Sequence, residues 1–341
     1  MVKNMKKLNF ALTLLAAAVM AGNAQTSTTD PVGYQTISVP VGLSTAGFPL
    51  LNPDVLKVAT TTLTGAALAL EGQTNVGALL SSVEPYYIEV YSGTLKGDRF
   101  DVDVAATITA ANGNVILNSA SLNNSLLFSS VGSNLNGAIV ALRKHITIEQ
   151  VQGMASTPLV GSNSSSSADQ IQFYDNASAA IAAYFLRADG ITWRKVGTTD
   201  AANKTPIPPG VGVFISKKTG VVTLTAVGNV RLNDFSVPYR AGLQLAAPGV
   251  PIDVTPASQG GTAANGWTGN NSSSSADQIQ VYNPAVSAFD SYFLRGDGTT
   301  WRKVGTTDAV TTTVVATSGQ AFFVSRKTAD SSNILVNPVT E

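Results

Sequence analysis

A block of 37 residues is written twice in this chain. Residues 164–200, SSSSADQIQFYDNASAAIAAYFLRADGITWRKVGTTD, return at 272–308 as SSSSADQIQVYNPAVSAFDSYFLRGDGTTWRKVGTTD, with 27 of the 37 positions identical. The likeness resumes one residue out of step, in GVGVFISKKT (210–219) against GQAFFVSRKT (319–328). Whatever this text folds into must be built twice, and each copy must bury its own apolar face.

The block reads as strands. The Ser runs at 164–167 and 272–275 hold no apolar residue and are loops. Alternation then points Ile171 and Phe173 inward and Gln170 and Gln172 outward, with Ile279 and Val281 inward in the second copy. Asp189-Gly190 is a hairpin turn, both residues being tolerant of positive φ. With that pair at the bend, Arg187 faces Thr192, Leu186 faces Trp193 and Phe185 faces Arg194. Tyr184, Leu186 and Trp193 then share one side; Phe185, Arg187, Thr192 and Arg194 share the other. Two arginines do not share a dry core, so the tryptophan side faces inward. The same reasoning buries Tyr292, Leu294 and Trp301.

Bulk composition narrows the class. The 341 residues are 44% hydrophobic and only 12% charged, too apolar for a disordered chain. The formal net charge of zero offers no basic excess for phosphates, so nucleic acid is not an expected partner. With no cysteine, disulfides and thiolate chemistry are excluded. MVKNMKK followed by an apolar run and the small residues Gly22-Asn23-Ala24 reads as a signal peptide, 1–24. Removing Lys3, Lys6 and Lys7 from 21 basic residues, against 21 acidic ones, leaves a mature charge of about −3. No later stretch is expected to span a membrane as a helix, and regular 10-residue alternation of a membrane barrel is missing.

The expected fold class is all-β: an N-terminal β-barrel or sandwich followed by a duplicated β-sandwich-like unit. The expected divisions are a signal peptide at 1–24, an N-terminal β domain at 25–145, a first β repeat at 146–229 and a second at 230–341. Residues 245–270, rich in Pro, Gly and Ala, are expected to form a long surface loop within the second repeat. In the N-terminal domain, YYIEVYSG alternates, and RFDVDVAATIT places Phe100, Val102 and Val104 on one face of a strand and Asp101 and Asp103 on the other. Asn112-Gly113 reads as a hairpin turn between TITAA and NVILN. Residues 55–70 are the one stretch where a short helix is weighed, against a Thr run that disfavours it. Pro208-Pro209-Gly210 makes a turn that the second copy replaces by Ala316-Thr317-Ser318-Gly319.

These motifs carry a resemblance. DPVG after the leader (30–33), ADQI before an aromatic (168–174), the YFLR…W hairpin (184–193) and PG-x-G-x-F ending in a basic pair (209–218) resemble a family of uncharacterised secreted proteins of Verrucomicrobia. The resemblance covers most of the mature chain. It implies export and a β-rich fold, and it carries over no catalytic residue. The second copy departs from the pattern at the proline-glycine turn.

Candidate chemistry is sparse. His145 is the only histidine, and the reading for it is a surface or strand-end position. Asp98, Asp101 and Asp103 are the densest acidic group, weighed as a glycosidase pair or calcium ligands and read as a solvated strand face. Arg295-Gly296-Asp297 spells an adhesion tripeptide, but the turn it shares with Arg187-Ala188-Asp189 accounts for it. The ligand-binding candidates are the outer hairpin faces, Phe185, Arg187 and Arg194 with Phe293, Arg295 and Arg302, where an aromatic sits beside two guanidiniums. Trp267, in a Gly/Asn-rich loop, is a further candidate. No catalytic, cofactor or metal residue is expected. The expected function is non-enzymatic: a secreted or cell-surface structural or adhesive protein, with extracellular polysaccharide or other surface proteins as partners. The alternatives are a carbohydrate-binding module and, third, a polysaccharide-degrading enzyme. Trp193→Ala and Trp301→Ala should each lower the unfolding free energy by about 3–5 kcal/mol in denaturant titrations. Near-wild-type melting of either variant would place that ring outside the core.

Overall fold

Alternation with a tight Gly-containing bend produces the same three-strand ribbon in both copies. In the computed structural model Gln170–Asp175 pairs with Ala180–Leu186, which pairs with Trp193–Lys195. Gln278–Asn283, Ala288–Leu294 and Trp301–Lys303 repeat the arrangement. The structure describes residues 31–118, 132–175, 178–328, 331–335 and 337. The expected signal peptide, 1–24, lies outside the described residues.

The register is the one the spacing predicts: Leu186 opposes Trp193 and Phe185 opposes Arg194, as Leu294 opposes Trp301. The turn chemistry differs in one respect. Only Gly190 takes positive φ, at 72°; Asp189 instead accepts the Ile191 and Thr192 N–H groups at 2.9 and 2.8 Å. An aspartate that satisfies two backbone donors stabilises the bend without entering the left-handed region.

Each ribbon grows into a five-stranded antiparallel sheet. Val213–Lys217 adds to Gln170–Asp175, and Gly42–Ala46 adds beyond it. In the second copy Phe322–Arg326 and then Gly242–Ala246 take these places. A two-stranded ribbon covers the inner face of each sheet: Val32–Val39 with Val222–Asn229, and Phe235–Tyr239 with Ser331–Leu335. Between the layers lie Ile37, Val39, Ile171, Leu186, Trp193 and Leu224 in the first copy. Phe235, Val237, Ile279, Leu294, Trp301 and Val324 fill the second. Both repeats are thus β-sandwich-like, and the chain is all-β.

Residues 32–46 fall inside the expected N-terminal domain, yet their strands hydrogen-bond into the first copy's sheets. The text retains a trace of this. Ser38-Val39-Pro40 and Gly42-Leu43 answer Ser236-Val237-Pro238 and Gly242-Leu243. The intervening residues build a separate six-stranded sheet, ordered Arg99–Asp101, Tyr86–Val90, Ile139–Lys144, Asp54–Thr64, Ala67–Leu70, Val115–Ile116. Its ends meet through a Val102–Leu117 bridge and the Asp103 N–H bond to Ile116, 2.8 Å, curling it round a core of Ile88, Phe100, Val115 and Val140. Closure leaves little open edge.

Two local expectations are corrected. The strand over RFDVDV stops early: Asp103 caps Val104–Ile108 as a short α-helix, its carboxylate accepting the Ala106 N–H at 3.0 Å. Capping together with Ala105-Ala106 outweighs the alternation there, so Asn112-Gly113 does not join a hairpin of TITAA and NVILN. Phe100 and Val102 still point inward. Residues 55–70, where a short helix is weighed against the β reading, are two strands hinged at Gly65, as the β reading expects. Residues 245–270 are not a surface loop, since Val254 and Trp267 are buried in the second core.

The indoles occupy matching places filled out by different neighbours. Trp193 donates to Gln152 Oε1 at 2.6 Å, on the short helix Ile148–Gly153, whose Ile148 and Val151 pack into the core. Trp301 donates to the Gly261 carbonyl at 2.6 Å and meets Trp267 edge-on, centroids 5.5 Å apart. Trp267 stands where the first copy has Leu159, so a larger ring replaces helix side chains as filling.

The ADQI aspartate is a buried staple. Asp169 accepts from Lys217 Nζ at 2.6 Å and from the Val160 and Lys218 N–H groups, each at 2.7 Å. Asp277 is ion-paired with Arg326 Nε at 2.8 Å and accepts from the Thr268 and Lys327 N–H groups at 2.7 and 2.6 Å. Both carboxylates are at most 1% exposed. Asp169→Asn and Asp277→Asn should each cost about 3–5 kcal/mol in urea titrations, because a cation is left buried and uncompensated. Lys218→Ala, which keeps its N–H donor, should stay within about 0.5 kcal/mol of wild type. Wild-type stability of both asparagine variants would show that the pair does not hold the fold.

Candidate functional site

The outer hairpin faces do not present open rings. Phe185 is 7% exposed and Phe293 6%. Each lies on its strand between a glutamine and an arginine, Gln170 and Arg194 or Gln278 and Arg302, whose long side chains flank the ring. Arg187, Arg194, Arg295 and Arg302 are half-buried. Trp267 is enclosed by Tyr239 and Trp301, with Arg326 stacked 4.7 Å over it. Aromatic stacking on a ligand has no free ring face at any of these three residues. In the Arg295-Gly296-Asp297 turn Gly296 and Asp297 are exposed, and Asp297 accepts the Thr299 and Thr300 N–H groups at 2.9 and 2.8 Å.

The acidic group disperses. Asp98 is buried, Asp103 caps a helix, and Asp101 bonds His145 Nε2 at 3.0 Å. His145 is not at the surface: it is 3% exposed and packs against Tyr87, 4.7 Å between centroids. Strand alternation hid this, because Tyr86–Val90 is buried on both faces.

The second buried face of that strand meets a group of arginines absent from the expected sites. Glu89 pairs with Arg231 and, at 3.5 Å, with Arg143. Arg99, opposite Glu89 across the strands, stacks at 4.0 Å on Phe235, whose ring also carries Arg231 at 4.4 Å. Burial draws Arg99 down to about 10, opposed by Tyr87 and Asp98, so it remains charged at neutral pH. The available signal was a lone Glu inside YYIEV, which an alternating strand with one solvated face would also contain.

Where the two copies touch, their contacts are reciprocal. The Gly47 N–H bonds the Gly319 carbonyl and the Ala247 N–H bonds the Gly210 carbonyl, both at 2.9 Å. Gly47 answers Ala247 in the repeat, and Gly319 answers Gly210. Phe214 packs on its counterpart Phe323, centroids 5.8 Å apart, and a Cβ on Gly47 would lie 2.7 Å from that of Ala247. This is the self-complementary logic of an isologous dimer inside one chain.

Two clefts flank this contact and share counterpart residues in their walls. One, about 100 Å³, has Tyr174, Gly210, Pro238 and Gln244 in its walls; the other, about 250 Å³, has the counterparts Tyr282, Gly319, Pro40 and Ser44. The first adds Arg99 and Arg240 and no acid, whereas the second has no charged residue. Among the described residues, no three His, Asp or Glu side chains converge as metal ligands.

The turn carboxylates give a pH prediction. Hydrogen bonds from Thr192 hold Asp189, and from Thr300 hold Asp297, down to about 2. A depressed folded-state value favours the fold above the ordinary carboxylate range and loses that contribution as pH falls through about 2. Carboxyl-carbon NMR titration should place both midpoints near 2; midpoints in the ordinary range would mean the turn bonds are not held in solution.

Compared with known proteins, the chain matches no family model, no curated protein and no solved structure.

Proposed function

We propose that this chain is an exported, non-enzymatic β-repeat protein with a structural or adhesive role at the cell surface, and that it belongs with the uncharacterised secreted proteins it resembles. One observation carries the reading. Residues that the two copies share are occupied by the fold itself. Asp169 and Asp277 are buried staples, Trp193 and Trp301 are core, and Asp189 and Asp297 close turns. Gln170 and Gln278 anchor the Ser loops through bonds of 2.6 Å to the Ser165 and Ser273 carbonyls. A repeat kept for its architecture suits a scaffold that presents surfaces to polysaccharide or to other surface proteins.

Fractionation of a bacterium producing the full chain tests it. The expected result is an intact protein in the outer-surface or culture fraction whose N-terminus is Gln25. Retention in the cytosol with residues 1–24 attached would overturn the export reading. Polysaccharide turnover by the pure protein that disappears in Asp101→Asn would overturn the non-enzymatic one.

A further inference from the structure

We propose that the cleft beside Gly210 and Arg240 binds the oxyanion head of a sugar, a carboxylate or a sulfate group, while its uncharged counterpart beside Gly319 does not. The inference goes beyond the scaffold role and uses none of the hairpin residues.

Arg99 is the first support. It is 5% exposed, and its Nε has no hydrogen-bond partner among the described residues. Its Nη1 donates to the Gly97 carbonyl at 3.2 Å, and its guanidinium carbon lies over Phe235. Its Nη2 lies next to Gly210 in the cleft wall, 3.9 Å from where a Cβ would stand. A buried guanidinium whose Nε is left unpartnered is costly unless an acceptor arrives. Arg240 adds a second guanidinium to the same walls, and none of the lining residues is acidic. Forked N–H donors suit the oxygens of carboxylate and sulfate.

The second support is the way one of two equivalent clefts has changed. Arg99 comes from the six-stranded sheet, which only the first copy carries. Arg240 sits in a local lengthening: Pro238 and Gly242 are separated by Tyr239, Arg240 and Ala241, where Pro40 and Gly42 are separated by Val41 alone. Pro209-Gly210 forms a turn closed by the Val211 N–H to the Pro208 carbonyl, 3.0 Å, with Gly210 at φ 83°. A Cβ at 210 would stand 2.8 Å from the Phe235 ring, so glycine keeps that wall clear. The proline-glycine turn, the point where the repeats part, is thus part of the cationic cleft.

Size and wall chemistry set the ligand class. About 100 Å³ holds roughly three waters, enough for a head group and its first carbon but not a whole sugar ring. Pro209, Val237, Pro238 and the Tyr174 ring give apolar walls on which the C–H face of a sugar would rest.

Calorimetry on the protein lacking residues 1–24, with D-glucuronate, glucose 6-sulfate and glucose as probes, tests this. At low salt at least one acidic sugar should bind with a millimolar or tighter Kd, and glucose should not. Whichever acidic sugar binds more tightly identifies the head group. Arg240→Gln should weaken binding at least tenfold, while Gln320→Ala in the counterpart cleft and Arg187→Gln on the hairpin should leave it unchanged. Amide NMR shifts of the wild-type protein on glucuronate or sulfate-ester addition should move at Gly210 and Val211 and not at Gly319 and Gln320, which keeps the test independent of how the variants fold. No binding by either acidic sugar, equal binding of glucose, wild-type affinity in Arg240→Gln, or shifts centred on Gly319 would each overturn the proposal.

Discussion

A carboxylate taken out of water needs several donors, and this fold is arranged round two such groups. Asp169 joins the segment before its own strand, through Val160, to the end of the strand at 213–217, through Lys217 and Lys218. Asp277 makes the same joint with Thr268, Arg326 and Lys327. Ionic burial of this kind is repaid only when the remaining lone pairs are satisfied, and here backbone N–H groups satisfy them. The consequence is geometric. The Ser-loop, the central strand and its neighbour cannot shift register without stranding the charge, and that register is what places each indole beneath its leucine.

Once each copy is stapled, the outer face of its sheet is free to meet the other. The meeting is reciprocal, with Phe214 on Phe323 and the Gly47 and Ala247 amides bonding across. Small residues at the crossing let the backbones approach, and aromatic burial beside them contributes on the order of 1.5–3 kcal/mol for each ring enclosed. A two-fold-like contact makes every feature beside it occur twice. Duplicated clefts need not stay alike, and an insertion into one copy changes the charge of one cleft only.

Much of the fold was legible because it is local. Asp-Gly bends, alternating apolar positions and the rule against burying two arginines together set the hairpin register from residues only a few apart. The partners of 32–46 were not legible, since a strand that pairs with residues nearly two hundred positions away carries no mark of its partner in its own alternation. The helix at 104–108 was missed because Asp103 competes for the backbone through a single cap. Phe185, Phe293 and Trp267 read as ligand candidates in the sequence because face and loop composition stand in for exposure there. The first two are buried between strand neighbours, and the second core absorbs the third. Of the cationic cleft, only the Pro-Pro-Gly turn was visible beforehand, as an unexplained departure between copies.

The amino-acid sequence by itself determined the all-β class, the duplication, the inward face of each hairpin and the equivalence of Trp193 and Trp301, because each follows from spacing within one strand pair. Only the tertiary structure decided which strands complete each sandwich, that the copies meet as a pair, and that Arg99 and Arg240 come to share one cleft. Those outcomes depend on long-range pairing, where the chain between two segments is too long for its local pattern to specify where its ends will meet.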